Sequence, residues 1–238
     1  MGTALTVFFV NDTKVQISVE LLSLVFLTYF NGYLYTKYQY RKPIIGRILV
    51  VNAVSFALGV ILILSFYSVD VLLKWLTILL LGLAYNSRFL NTFVRKIPLL
   101  KIFYVGLSWA LVSAWLFLPK IDGAIFLVSF LYVSALVLPF DIRDKSSDKV
   151  LTFPKFIGVA ATKRLAYVLL IFSGGLSFIY FNTLYAVAFG GAIVVALALV
   201  YGASESKPDW YFSLLVETCC GLPLLFLILL EYFWLIFQ

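Results

Sequence analysis

The chain has 238 residues, of which 63% are hydrophobic and 12% charged, with a mean hydropathy of +1.06 and a net charge of +7. A soluble core of this length has no room for so many apolar side chains, so composition excludes a water-soluble domain and predicts one transmembrane domain over residues 1–238. The chain holds no His, which removes His-dependent triads, His-ligated haem and most zinc chemistry, and it shows neither a Walker-type phosphate loop nor a dinucleotide glycine pattern.

In chain order, residues 4–10 are apolar but too few to span, and read either as the far end of a lost helix or as a short interfacial segment. Apolar runs then predict spans near 17–36, 48–67, 71–87, 102–118, 123–140, 165–181, 183–201 and 211–236. The runs are continuous instead of alternating with period two, so the predicted class is an all-α bundle of about eight spans and not a β-barrel. Gly174-Gly175 and Gly190-Gly191 fall in two consecutive spans, where paired glycines suit close helix packing or, in a transporter, a broken helix. Cys219 and Cys220 are adjacent in the last span, a spacing ill suited to a disulfide, and read as small packing residues. Glu217, a few residues into the same span, is an intramembrane acid and for that reason a functional candidate, unless a nearby cation pairs with it.

Fifteen of the eighteen basic residues lie in alternate loops, around 37–47, 88–101, 143–164 and at Lys207, against Lys14, Lys74 and Lys120 on the other side. The positive-inside rule places the richer face in the cytoplasm of a multi-pass cell-membrane protein. The charge reads as topology plus attraction to anionic lipid or diphosphate, and nucleic acid is not an expected partner.

Three of the eleven acidic residues, Asp141, Asp144 and Asp148, occupy eight positions on that face. If the stretch is helical, spacings of three and seven residues bring the three carboxylates onto one face, where a cation would neutralise them. The expectation is a metal or metal-diphosphate site at the membrane surface, with Arg143 and Lys145 either contacting phosphate or offsetting the aspartates.

Asp141, Arg143, Asp144 and Asp148, followed by Thr152, Pro154 and Gly158, resemble the second aspartate motif of the UbiA superfamily of intramembrane prenyltransferases. Tyr85-Asn86 with Ile97, Pro98 and Lys101, then Trp109, and Lys207-Pro208 before the last span are similar to further family segments in the same order. The resemblance covers most of residues 20–238 and implies a nine-helix fold, here lacking most of helix 1. It implies an enzyme that transfers a prenyl group from a prenyl diphosphate to an aromatic or lipid acceptor. Asp141, Asp144 and Asp148 would be catalytic and would bind Mg²⁺, while Asn31, Tyr35, Lys37, Arg41, Arg88, Arg143 and Lys145 would contact substrate. Tyr29, Phe30, Tyr33, Trp109, Phe130 and Tyr132 would line the isoprenoid chamber or serve as core.

One departure matters. The family's first motif has an Asn followed by aspartates four and eight residues on, whereas Asn31 is followed by Tyr35 and Gln39, and no carboxylate lies between Glu20 and Asp70. Half of the expected hard-cation ligands are therefore missing. That loss keeps open a noncatalytic isoprenoid- or lipid-binding protein descended from the family.

Overall fold

A computed structural model describes residues 1–13, 15–39, 41–86, 97–148 and 150–236. Among them the chain is all-helical: α1 (Gly2–Asn11), α2 (Val19–Tyr38), α3 (Lys42–Phe66), α4 (Val69–Asn86), α5 (Leu100–Ala114), α6 (Gly123–Arg143), α7 (Phe153–Phe156), α8 (Gly158–Tyr180), α9 (Thr183–Gly202) and α10 (Leu222–Ile236). A π-helical segment, Tyr211–Val216, and a 3₁₀ turn, Cys219–Gly221, precede α10.

Every predicted apolar run coincides with helix over most of its length, and local chemistry explains several of the boundaries. Ser18, Asp122 and Asn182 cap α2, α6 and α9 by accepting from Leu21 N, Ile125 N and Tyr185 N, and Pro43 sits in the first turn of α3, where no donor is lost. Among the described residues, five stretches are long and apolar enough to cross a membrane: Pro43–Phe66, Gly123–Arg143, Gly158–Tyr180, Thr183–Gly202 and Tyr211–Ile236. Their outward faces carry large exposed apolar residues such as Leu64, Phe172, Ile179, Val194 and Leu235, a surface suited to hydrocarbon rather than water.

Two differences from the sequence reading stand out. The 102–118 run is helical only to Ala114, so α5 has 15 residues and rises about 22 Å, short of the roughly 30 Å hydrocarbon core. Residues 4–10 are not an interfacial segment: Leu5, Phe8, Phe9 and Val10 of α1 are fully buried. Phe8 and Phe9 meet Phe189 of α9 at centroid distances of 5.9 Å, and Tyr132 of α6 lies 5.0 Å from the same ring.

Consecutive helices from α5 to α10 pack against their neighbours, as short connections require of antiparallel pairs. Gly106 permits the closest approach, since a Cβ there would meet the Ser134 hydroxyl and lie 3.0 Å from the Phe130 carbonyl oxygen across the α5–α6 seam. Gly174 and Gly190 serve α8–α9 packing, facing Ile193 and Phe178, and both lie inside unbroken helices. Cys219 and Cys220 are buried free thiols.

Candidate functional site

α6 ends at Arg143, and Asp144 is its C-cap, with the Asp144 N–H returning to the Phe140 carbonyl. The chain then turns through Lys145, Ser146 and Ser147, and the Asp148 N–H bonds the Asp144 carbonyl at 2.8 Å. The turn, not a helical face, decides where the aspartates go.

Asp141 and Asp148 converge on Lys101, which enters from the first turn of α5. Its Nζ lies 2.6 Å from Asp141 Oδ1 and 3.4 Å from Asp148 Oδ2. The Asp141 side chain is 2% exposed, so its charge depends on that ammonium. Lys101 reaches it because Leu99 turns the chain into α5 with φ 64°, a left-handed conformation uncommon for a non-glycine residue, and the Leu99 N–H is tied to the Leu151 carbonyl at 3.1 Å. The space left among Leu99, Lys101, Asp141, Asp148 and Thr152 is about 20 Å³, room for about one water molecule. After Thr152, the short helix α7 starts with Pro154 in its first turn, and Gly158, at φ 81°, redirects the chain into α8.

Asp144 faces elsewhere. Both of its oxygens accept from Arg143, at 2.7 Å from Nε and 2.9 Å from an Nη, in a bidentate pair. The guanidinium is also 5.4 Å and 5.5 Å from the centroids of Phe140 and Phe212, which hold it by cation–π contact. This pair borders a polar cleft of about 580 Å³ shared with Lys37, Glu205, Lys207 and Asp209. Lys145 turns to Glu205 at 3.7 Å.

Lys37 also donates to the Tyr33 hydroxyl at 2.6 Å, one turn back on α2. Tyr33 belongs to an aromatic chamber of about 240 Å³ with Phe26, Tyr29, Phe30, Trp109 and Glu217. Tyr29 and Trp109 pack at 4.8 Å, and the Tyr29 hydroxyl is fixed at 3.2 Å from Thr6 Oγ1. Glu217 enters where the π-helical turn ends, a distortion common at functional positions. Phe130 and Tyr132 do not line this chamber. Phe130 stacks with Phe103 and Phe126, and Tyr132 is buried with its hydroxyl donating to the Cys219 carbonyl at 2.7 Å.

Asn31 and Tyr35 are not gathered with the aspartates. They border a third space, a groove of about 460 Å³ between α2, α3 and α4. Arg41 precedes α3 without a side-chain bond to its first turn and lies 5.6 Å over Tyr38, while Arg88 lies outside the described residues.

The residues present do not fit a resident Mg²⁺. Asp141 and Asp148 share one ammonium, both Asp144 oxygens accept from Arg143, and among the described residues no group of three metal-ligating side chains converges. Reading the sequence missed Lys101 as the partner of Asp141, and it missed Glu205 and Asp209 in the polar cleft. The Ile97 to Lys101 segment and Lys207-Pro208-Asp209 carried the only signals for them. Compared with protein-family models, with curated proteins and with solved structures, the chain matches none.

Proposed function

We propose that the chain is a UbiA-like protein of the cell membrane that holds a prenyl diphosphate, its tail in the chamber of Phe26, Tyr29, Phe30, Tyr33 and Trp109 and its head at the cleft bearing Lys37, Arg143 and Lys207. The Tyr33–Lys37 bond carries this reading, because one helical turn joins the chamber wall to a cation on the polar cleft. An aromatic space beside cationic side chains suits a hydrocarbon tail with an anionic head. The reading includes eight spans and the 141–164 loop in the cytoplasm, as its basic residues favour.

Binding without chemistry is the form the donor set supports best, since each aspartate of the cluster already lies against a cation of the chain, Asp141 and Asp148 against Lys101 and Asp144 against Arg143. Prenyl transfer to an aromatic or lipid acceptor is the second reading, favoured by Asp144, Glu205 and Asp209 bordering the same cleft as the three cations. In that case Mg²⁺ accompanies the diphosphate as part of the substrate.

The test is retention of radiolabelled geranylgeranyl diphosphate by the purified protein, with Mg²⁺ and with EDTA, in the presence of a phenolic acceptor. Retention is expected, and Arg143→Ala and Lys207→Ala should each weaken it about 10- to 100-fold, the worth of a hydrogen bond to a charged group. A prenylated product would select the transferase. No retention under either condition would overturn both readings.

A further inference from the structure

The groove between α2, α3 and α4 has a different chemistry from the polar cleft. Phe56 and Trp75 stack at 5.4 Å along it, Leu76, Leu79, Leu80 and Leu83 continue the wall, and among the described residues no charged side chain borders it. Leu80 and Leu83 are exposed at its rim, toward the lipid side of the bundle. Leu76 to Leu83 is two turns of α4, about 10 Å, so the groove runs along the helices.

Tyr35 and Thr36 also border the groove, and two buried amide oxygens interrupt its apolar wall. The amide oxygens of Asn31 and Asn52, both groove residues, are buried and accept no hydrogen bond. The Asn31 amide nitrogen already donates to the Leu27 carbonyl at 2.8 Å, which commits that side of the amide and leaves the oxygen as an acceptor. An unmet acceptor surrounded by hydrocarbon is costly, because no bulk water reaches it.

We propose that this groove binds a linear lipid alcohol, its chain along Phe56, Trp75 and the α4 leucines and its single O–H donating to the Asn31 oxygen, which the Leu27 contact fixes as an acceptor. A diphosphate offers acceptors and negative charge to two acceptors, and among the described residues the groove has no cation to offset them. A lipid amine would bring a charge with no carboxylate to meet it. A hydroxyl supplies a donor without charge. A flexible chain follows two turns of leucines on α4 more closely than a rigid ring system does.

Gly32 and Gly82 make the proposal testable without breaking the fold. Both border the groove, and a Cβ built on either meets nothing within 4 Å, so a larger side chain fills the groove and not its walls. Replacing a helical glycine also favours the helix.

The full chain in lipid nanodiscs is equilibrated with tritiated geranylgeraniol, with unlabelled geranylgeraniol, cholesterol or geranylgeranyl diphosphate as competitors. The wild type should retain the alcohol, and only unlabelled geranylgeraniol should displace it. Gly82→Leu should abolish retention while leaving geranylgeranyl diphosphate binding unchanged, which separates this site from the polar cleft. Asn31→Leu should weaken retention about 2- to 12-fold, the range for one net hydrogen bond. Undiminished retention in Gly82→Leu, or displacement by cholesterol as effective as by geranylgeraniol, would overturn the proposal.

Discussion

Replacing Lys101 with Met keeps most of the side-chain volume and removes the charge that Asp141 and Asp148 share. The Asp141 carboxylate is 2% exposed and 2.6 Å from the Lys101 ammonium, so it would be left as a buried charge without its counter-ion. Breaking a buried ion pair by removing one partner typically costs about 3–5 kcal/mol. Lys101 is itself 31% exposed, so water already screens part of the attraction, and a cost of about 2–4 kcal/mol is the better expectation. That corresponds to an unfolding equilibrium shifted about 30- to 700-fold. The assay is reversible unfolding in mixed micelles, run as a double-mutant cycle with Asp141→Leu. Removing both charges should recover most of the loss, because a hydrophobic replacement of a buried pair is often neutral or better. A Lys101→Met cost below about 1 kcal/mol, or additivity of the two substitutions, would refute the argument that this ammonium is what allows a carboxylate to be buried at the end of α6.

On the opposite face, Asp12 is held above the ordinary aspartate range by partial burial and by the charge of Asp122, with the Asn182 hydrogen bond at 2.7 Å opposing. The folded chain therefore binds this proton more tightly than the unfolded chain, so stability falls as pH rises from the ordinary value of about 4 through the raised folded value. Thermal midpoints across that window should fall with rising pH in the wild type and less so in Asp12→Asn; an identical slope in both would exclude Asp12 as the group responsible. Gly106→Ala should cost about 1–3 kcal/mol, since its Cβ would press on Ser134 and the Phe130 carbonyl, whereas Gly82→Ala, facing open space, should be neutral or stabilising in the same unfolding assay.

Much of the architecture is legible in the residues themselves. A helix satisfies its own backbone, so a continuous apolar run bounded by charges or caps is enough to locate it, and the runs over 48–67, 183–201 and 211–236 fall on helices for that reason alone. Ser18, Asp122 and Asn182 act within three residues of their own positions, and their chemistry can be read locally. The fates of the aspartates cannot. Asp141 is buried because Lys101, 40 positions earlier, arrives at its side, and that arrival depends on the left-handed turn at Leu99 and its bond to Leu151. Asp144 parts from its neighbours because α6 stops one residue before it and Arg143 turns back between Phe140 and Phe212. Asn31 and Tyr35, which the sequence pattern aligns with an aspartate motif, border a groove built by α3 and α4 instead. Helix positions follow from short-range hydrogen bonding and burial along the chain. The pairing of charges and the separation of the clefts follow from which helices meet, and that is decided only when the bundle closes.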